Sequence, residues 1–339
     1  MNRVLIIAEA GVNHNGDIQK AKGLIKVAAD AGADVVKFQT FNSEKLVSQD
    51  AQLADYQKTN LKNNNSNQLE LLKKIELPKS WHFELKTYSE KFGIIFCSTP
   101  FDEESLDFLC ELDIPFIKIP SGEITNKPFL ERIASKKIKV ILSTGMANIH
   151  EVEDAMNVLT DNGLSKDMMT ILHCNTEYPT PLEDVNLRAM LQFENFGVNY
   201  GYSDHTLGSE VAIAAIALGA TVIEKHFTLD KNLPGPDHKA SLEPNELREF
   251  IKSIRKTELI ISGSGKKDIS SSEKKNIVIA RKSIHLKNNI LKGHIISIDD
   301  IEMKRPGSGI SPMEYDKVLN KKAKRDLRIG TLLKWEDLE

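Results

Sequence analysis

The sequence has few cysteines, no long apolar run and no surplus of basic residues, and each of these absences excludes a class of protein. Its 339 residues include three cysteines, an odd number without metal-type spacing, and we expect reduced thiols in a cytoplasmic protein. No stretch approaches the about 20 apolar residues of a membrane span, and Glu9 interrupts an N-terminal apolar run too short for a signal peptide. The net charge of −3 argues against a nucleic-acid partner.

What the sequence does contain is an ordinary globular composition, with 40% hydrophobic and 27% charged residues, and a repeated pattern of strand and helix. Each short β-branched segment precedes turn residues and then a helix-type segment such as "IQKAKGLIKVAADAGA". The predicted strands span residues 4–10, 35–40, 94–99, 116–121, 140–145, 169–175, 199–204 and 222–227. Alternation of strand and helix indicates a parallel sheet, and eight such strands predict an α/β fold, a closed (β/α)₈ TIM barrel.

The chain is predicted to divide into a barrel over residues 1–262, a linker over 263–280 and a small domain over 281–339. The linker contains "SGSGKKDISSSEKKN", which is rich in Ser, Gly and Lys. The last segment has frequent turn signals and little helical periodicity. An insertion at 43–77 includes "KNNNSNQ", and we expect a polar loop there, on the side where barrels place their active sites.

The stretch "VIEKHFTLD" over residues 222–230 begins as a buried strand and then presents three ionisable side chains in a row. Side chains alternate along a strand, so Glu224 and His226 share one face. Strands of a parallel sheet are buried on both faces, and an unpaired buried charge costs several kcal/mol. A functional site at the end of this strand therefore explains these residues better than structure alone.

The other predicted strands also end in polar or ionisable residues, and in a barrel these ends converge on a single mouth. The residues concerned are Glu9, Lys37, Gln39, Thr99, Lys118, Ser121, Glu123, Ser143, Asn175, Thr176, Tyr178, Ser203 and His205. Any one of them alone is most simply a solvated strand end. One polar site that serves them all is the simpler interpretation of the whole set.

The residue types in this set indicate which chemistry the site performs. Lys37 and Lys118, with the neighbouring hydroxyls, suit a phosphate and a carboxylate. His205 and His226 end adjacent strands and can share a divalent cation, with Asp204 and Glu224 as supporting carboxylates. A satisfied pair of core histidines is the alternative to the metal site.

Long motifs throughout the chain resemble those of the sialic acid synthase family. They include "IAEAGVNHNG", "VKFQTF", "KIPSGEITN", "LHCNTEYPTP", "YSDHTLG", "EKHFTLDKNLPGPDHKAS" and "KRPGSGISP", and the resemblance covers residues 4–339. It implies a transferase that condenses phosphoenolpyruvate with an N-acyl hexosamine. It also implies a (β/α)₈ barrel followed by a small antifreeze-like (SAF) domain, in a domain-swapped homodimer.

The resemblance also implies roles for individual residues. His205 and His226 correspond to ligands of a divalent metal, usually manganese, with magnesium or cobalt as alternatives. Lys37, Thr99, Lys118, Ser121, Ser143 and Ser203 correspond to contacts of phosphoenolpyruvate, and Glu123 to a carboxylate near the attacking water. Glu9, Gln39, Tyr178 and Asp237 correspond to contacts of the sugar, and Arg305 to an arginine that the small domain inserts into the partner subunit's barrel.

Two departures from the family's pattern leave the choice of sugar open. Asn175 and Thr176 stand in reverse order relative to some members, and Arg281 stands near where some members have an aromatic residue. N-acetylmannosamine, which gives N-acetylneuraminate, is the default substrate. The alternative is the legionaminic acid precursor 2,4-diacetamido-2,4,6-trideoxymannose, because "KIPSGEITN" and "GPDHKASLEP" resemble legionaminic acid synthases at least as closely, and a pseudaminic acid precursor is a third choice.

Three other classes of protein fit parts of the same pattern. A lysine aldolase could use Lys37 or Lys118 as a Schiff base. A metal-dependent hydrolase on the same barrel is disfavoured because Glu9 stands where a first histidine ligand is expected. A non-enzymatic ice- or glycan-binding protein would explain the C-terminal segment but not the charges at the barrel mouth.

Overall fold

Eight parallel β-strands form the centre of the first of two structural units, residues 1–263, and the second unit spans 264–339. The computed structural model describes residues 3–54 and 67–339. The strands are β1 (Leu5–Gly11), β2 (Val35–Thr40), β3 (Ile95–Pro100), β4 (Ile117–Ile119), β5 (Val140–Ser143), β6 (Met169–Cys174), β7 (Asn199–Asp204) and β8 (Val222–His226). Each lies where the sequence pattern predicts a strand.

The eight strands form a single curved sheet that is nearly closed. Hydrogen bonds join them in the order β3-β2-β1-β8-β7-β6-β5-β4, with every pairing parallel. The strands at the two ends of this order, β3 and β4, are also in contact with each other. The predicted (β/α)₈ barrel is therefore confirmed.

Helices pack around the strands, and several of them begin at a residue whose side chain caps the first turn. The main helices of the first unit are Ile18–Ala31, Lys79–Lys91, Glu103–Glu111, Lys127–Ser135, Ile149–Asp161, Glu210–Ala217 and Pro244–Ile261. The first helix begins where the Asp17 side chain accepts hydrogen bonds from two backbone N–H groups, and it ends at Gly32 with φ of 88°. Within the described residues, we find no helix long and apolar enough to span a bilayer.

The insertion at 43–77 differs from its predicted loop. Its described part contains two helices, Ser43–Leu46 and Gln68–Ile75, whereas most of "KNNNSNQ" lies outside the described residues. The second helix buries Leu71 and Ile75 against Phe41 and Leu53 in a small apolar cluster. The prediction was wrong because the polar composition of the segment masks an apolar i, i+4 pair that gives this helix a buried face.

The interior of the barrel consists of an apolar layer below a polar layer. Strand side chains that point inward near the amino ends form an apolar cluster, which comprises Leu5, Ile7, Val35, Cys97, Phe116, Ile141, Leu172 and Val222. Two residues further along the same strands stand Glu9, Lys37, Thr99, Lys118, Ser143, Cys174 and Glu224. Because side chains alternate along a strand, the polar side chains form a layer directly above the apolar cluster. We call the polar layer the floor of the cavity and the apolar cluster the apolar plug.

The second unit has its own small core and a two-stranded antiparallel sheet. Strands β9 (Ser283–Leu286) and β10 (Ile301–Lys304) pair around buried side chains such as Ile284, Leu286 and Leu333. The predicted linker, residues 263–280, contains an α-helix over Ser271–Ala280, which begins at a capping box of Ser270 and Glu273. The serine residues that suggest a linker include Ser270, which caps the start of this helix.

Two histidines buried in the barrel unit predict that its stability falls at mildly acidic pH. The side chains of His14 and His82 are fully buried, and burial lowers the pKa of each to about 4. The imidazole of His82 contacts the hydroxyl of Thr40 at 2.7 Å and the carbonyl oxygen of Pro78 at 3.1 Å. Since each folded-state pKa is depressed, the unfolded chain takes up protons first, and stability is lost as pH falls from about 6.5 toward 4.

We expect each of these histidines to remove about 2 kcal/mol from the free energy of unfolding between pH 7 and pH 5. Urea denaturation at both pH values measures this change. In the His82→Leu variant, the free energy of unfolding decreases by about 2 kcal/mol less between pH 7 and pH 5 than it does in the wild type. This difference does not depend on the stability of the variant at pH 7. The exposed His150 provides the control, because His150→Ala leaves the decrease unchanged. An equal pH dependence in the wild type and in His82→Leu would contradict this account.

Candidate functional site

A cavity of about 640 Å³ opens at the carboxyl ends of the strands. Strand register brings its charged residues side by side: Glu9 stands opposite both Lys37 and His226, and Glu224 stands opposite Ser203. Of the predicted site residues, those that line the cavity are Glu9, Lys37, Gln39, Thr99, Lys118, Ser121, Ser143, Thr176, Tyr178, Ser203, His205, Glu224, His226 and Asp237. The expected convergence of the strand ends is thus present in the structure.

Two lysines and two glutamates form a buried network on the floor of this cavity. Lys37 Nζ lies 2.7 Å from Glu9 Oε2 and donates to Thr99 Oγ1 at 2.8 Å. Lys118 Nζ donates to Ser143 Oγ at 2.6 Å. The carboxylate of Glu224 lies between the two lysines, with oxygens 3.7 Å from Lys37 Nζ and 3.5 Å from Lys118 Nζ. Two ammonium groups therefore face one central carboxylate.

The carboxyl groups of Glu224 and Glu9 differ in their pKa values because their charged neighbours differ. Burial opposes the ionisation of Glu224, but Lys118 and Lys37 outweigh it and lower the pKa of Glu224 to about 2. Burial raises the pKa of Glu9 to about 7, against the opposing charge of Lys37, whose Nζ lies 2.7 Å from Glu9 Oε2. Burial also opposes the charge of Lys37, yet Glu224 and Glu9 raise its pKa, so Lys37 is an ammonium group at neutral pH.

The imidazoles of His205 and His226 lie side by side at the ends of β7 and β8. Their ring centroids are 5.3 Å apart, and the ring planes are inclined by 65°. The hydroxyl of Tyr178 contacts His205 Nε2 at 3.0 Å, and its ring stacks on the His205 ring at 4.0 Å. Burial, with His205 nearby, lowers the pKa of His226 well below its usual value, so this ring is neutral at pH 7.

This pair of imidazoles fits a divalent cation. A metal–nitrogen bond of about 2.1 Å places each ring centroid about 3.3 Å from the ion, which agrees with the observed separation of the rings. His226 Nδ1 is buried and has no hydrogen-bond partner among the described residues, as expected of a nitrogen whose lone pair binds a cation. The described residues contain no cluster of three or more metal-type side chains, so two imidazoles would hold the ion and leave its other positions to substrate or water.

The structure corrects the supporting role expected of Asp204. Its carboxylate points to the opposite face of the sheet, where Asp204 Oδ2 lies 3.0 Å from Lys225 Nζ, and both side chains are almost fully buried. Lys225 Nζ also lies over the ring of Phe250 at 5.8 Å. Of the three consecutive ionisable residues in "VIEKHFTLD", Glu224 and His226 face the cavity, whereas Lys225 stabilises the outer layer.

Three predicted residues are not among those that line the cavity. Glu123 is half-buried, and its Oε2 accepts a hydrogen bond from Asn126 Nδ2 at 2.6 Å. Asn175 contributes through its backbone, because its carbonyl oxygen contacts His205 Nδ1. Arg305 is exposed in the second unit, next to a cis peptide bond with Pro306. The roles predicted for these three residues stay predictions.

Two other residues shape the cavity without a signal that the sequence analysis recognised. Cys174 was not among the predicted site residues, but it lines the cavity, with its sulfur 3.7 Å from His205 Nδ1. Gly11 has φ of 50°, and a Cβ there would meet Glu9 Oε1 at 3.3 Å and Gln39 Nε2 at 3.4 Å. Cys174 lies two residues after Leu172 on β6, so the two side chains point to the same, inward face of the barrel. The alternation of side chains along the strand therefore predicts that Cys174 faces the cavity.

Burial also affects the carboxyl group of Asp237, which lines the cavity. Burial raises the pKa of Asp237 to about 6, and His205 opposes this shift. Asp237, Tyr178, Thr176 and Glu177 provide polar groups on one side of the mouth. The cavity therefore combines cations at its floor, two imidazoles beside them and polar side chains at its rim, a set suited to an anionic reactant and a polyhydroxylated one.

Comparison with known proteins agrees with this geometry. A model described as the NeuB family matches residues 24–267, and one described as the SAF domain matches residues 281–339. The chain is 51% identical to the N,N'-diacetyllegionaminic acid synthase of Campylobacter jejuni, over 98% of this chain and 100% of the relative. It is 47% identical to the enzyme of the same name from Legionella pneumophila, over 98% of this chain and 94% of the relative.

A solved structure is also similar, that of N-acetylneuraminic acid (sialic acid) synthetase from Leptospira borgpetersenii. Its TM-score is 0.72 at 36% identity, and the match covers 81% of this chain and 90% of the Leptospira chain. The resemblance read from the sequence motifs is thereby confirmed, together with the small C-terminal domain. The chain belongs to the NeuB family.

Proposed function

We propose that this chain is an N,N'-diacetyllegionaminic acid synthase, which joins phosphoenolpyruvate to 2,4-diacetamido-2,4,6-trideoxymannose and releases phosphate. The observation that carries the proposal is one cavity in which two lysines and two imidazoles converge, in a chain about half identical to synthases of that name. The sequence motifs left N-acetylmannosamine as the default sugar. The names of these relatives favour the legionaminic acid precursor instead.

The floor of the cavity suits phosphoenolpyruvate, which carries a phosphate and a carboxylate. Lys37 and Lys118 provide two ammonium groups, each already oriented by a hydroxyl group. Glu224 holds both lysines in place, so the ligand meets donors that need no reorganisation. In this role the lysines bind and orient the reactant and form no covalent bond with it.

His205 and His226 would hold a divalent cation beside this floor, which supplies Lewis-acid polarisation of the sugar aldehyde when bound. The backbone carbonyl oxygen of Asn175 contacts His205 Nδ1 and orients the ring, and Tyr178 stacks on its face, so Nε2 is the nitrogen that would bind the cation in place of the Tyr178 hydroxyl. Gln39 Nε2 donates to Glu9 Oε1 at 3.3 Å, and this pair lies next to His226, within reach of the sugar's hydroxyl groups. Manganese is the metal that we propose.

The proposed reaction forms one carbon–carbon bond and, at the adjacent carbon, forms a bond to the oxygen of water and breaks the bond to the phosphate oxygen, with the new hydroxyl losing its proton to become the keto group. The enol carbon of phosphoenolpyruvate attacks the aldehyde carbon, and the aldehyde oxygen takes up a proton. Water adds to the adjacent cationic carbon and loses a proton, and the resulting tetrahedral intermediate expels phosphate. We propose Glu123 as the carboxylate near this water, and a homodimer in which Arg305 contacts the N-acyl group of the sugar.

The choice of sugar is tested by phosphate release. We expect kcat/KM for 2,4-diacetamido-2,4,6-trideoxymannose to exceed that for N-acetylmannosamine by at least about tenfold, because the two sugars differ at several substituents that the cavity contacts. The measurement is inorganic phosphate released from phosphoenolpyruvate with each sugar, and phosphoenolpyruvate alone is the control. Equal or higher kcat/KM with N-acetylmannosamine would replace the proposed product with N-acetylneuraminate.

The metal role of the imidazoles is tested by His226→Gln. We expect phosphate release to fall more than about 100-fold, because Lewis-acid stabilisation is worth several kcal/mol. Circular dichroism and thermal melting check that the variant stays folded. His150→Ala, at an exposed histidine outside the cavity, is the matched control and keeps wild-type activity. Near-wild-type turnover of His226→Gln after chelation would refute the metal role.

The rival lysine aldolase is tested by trapping with pyruvate and sodium borohydride. A Schiff base needs a neutral amine, and Lys37 is held as an ammonium group by Glu224 and Glu9. Burial lowers the pKa of Lys118, which makes it the better candidate for a Schiff base, but Glu224 opposes this shift with an oxygen 3.5 Å from Lys118 Nζ. We therefore expect mass spectrometry to find no reduced pyruvate adduct, under conditions in which a lysine-dependent aldolase is labelled. An adduct on the peptide that contains Lys37 or Lys118 would end the proposed mechanism.

A further inference from the structure

One side of the cavity mouth carries several apolar side chains, with Gln39 and Gln68 beside them, in contrast to the charged floor. We call this side the apolar wall and define it by Val12, Leu71, Leu72, Ile75 and Phe101, all of which line the cavity. Three of these residues come from the helix Gln68–Ile75, within the insertion after β2. The proposed chemistry of the floor makes no use of these side chains, so their presence in a site for polar reactants needs its own explanation.

The wall lies above the floor on the side of strands β1, β2 and β3. Val12 follows Gly11 at the end of β1, and Phe101 follows Pro100 at the end of β3. These strands are neighbours in the sheet, and β1 is also next to β8, which carries His226. The polar side of the mouth, with Tyr178 and Asp237, follows β6 and β8.

Packing against apolar side chains fixes the wall in position. Leu71 and Ile75 are each 7% exposed and pack against Phe41 and Leu53, whereas Leu72 is half-buried. The rings of Phe41 and Phe101 meet edge to face, with centroids 6.1 Å apart. Leu72 therefore offers a partly accessible side chain to a ligand, and Leu71 and Ile75 hold it there.

We infer that the apolar wall contacts the methyl groups at the far end of the sugar and thereby selects the acetamido, deoxy substrate over N-acetylmannosamine. This inference rests on the proposed function, since it places the sugar aldehyde beside His205 and His226. With the aldehyde at the floor, carbons 4 to 6 of the open chain extend toward the mouth. The trideoxy sugar carries a methyl group at carbon 6 and an acetamido group at carbon 4, where N-acetylmannosamine carries hydroxyls.

The physical basis of the selection is desolvation. A methyl group against Leu72 and Phe101 removes apolar surface from water on both sides of the contact. A hydroxyl group at the same place would lose its hydrogen bonds to water and find no partner among these side chains. A single methyl-sized difference in an apolar pocket changes kcat/KM by about 10- to 200-fold.

The test compares two substitutions of Leu72 with three sugars. We expect Leu72→Asn to lower kcat/KM for the diacetamido-trideoxy sugar about tenfold and to change kcat/KM for N-acetylmannosamine less than about twofold. Leu72→Met keeps an apolar side chain of similar volume, so it preserves the wild-type ratio. 2-Acetamido-2,6-dideoxymannose, which lacks only the hydroxyl at carbon 6, separates the contribution of carbon 6 from that of carbon 4.

The outcomes distinguish this inference from the proposed function. If Leu72→Asn lowers kcat/KM for all three sugars equally, or for none, the wall does not select the sugar and the inference is overturned. If the wild-type protein releases no phosphate with any sugar, the proposed function fails. The wall is then judged by calorimetric Kd values for the same sugars and variants, and a Kd ratio that Leu72→Asn leaves unchanged overturns the inference as well.

Discussion

The compensation of charge inside the barrel is the constraint on which the rest of this structure depends. Glu224 is nearly inaccessible to solvent, and a carboxylate there would be strongly destabilising without a partner. Two lysines on different strands provide that partner, within 3.7 Å and 3.5 Å of the Glu224 oxygens. This arrangement requires the observed register of β1, β2, β4 and β8, because a shift of one residue would turn each charge into the apolar layer behind the strands. The charges that we propose to bind an anionic reactant are therefore the same charges that specify the register.

Much of this architecture is predictable from the sequence, because two simple periodicities govern it. All eight strands lie where short β-branched segments precede turn residues, and the alternation along "VIEKHF" correctly assigns Glu224 and His226 to one face. The same rule assigns Lys225 and Asp204 to the other face, where they pair, although Asp204 was predicted to support the metal site. What could not be predicted depends on contacts between distant segments. The helix Gln68–Ile75 is stabilised by its packing on Phe41 and Leu53, and the helix Ser271–Ala280 begins in a segment whose composition is typical of linkers.

The floor and the rim of the cavity belong to parts of the fold that are stabilised in different ways. The floor consists of strand residues whose neighbours are fixed by backbone hydrogen bonds, and its lysines, glutamates and hydroxyls form one network. The rim consists of residues that follow the strand ends, including an inserted helix that packs through a small cluster of its own. Changes at the rim leave the register of the floor untouched. A fold with this division can keep one condensation reaction and vary the second reactant, which agrees with a family whose members carry the names of different nonulosonic acids.

The apolar plug beneath the floor, with Ile7, Phe116 and Leu172 among its members, closes the barrel at its amino end. The cavity opens at the carboxyl ends of the strands, on the side away from the plug. In the proposed arrangement, phosphoenolpyruvate lies on the lysines and the sugar lies between it and this opening. Phosphoenolpyruvate would then bind before the sugar, so the depth of the cavity would set the order in which the two reactants enter.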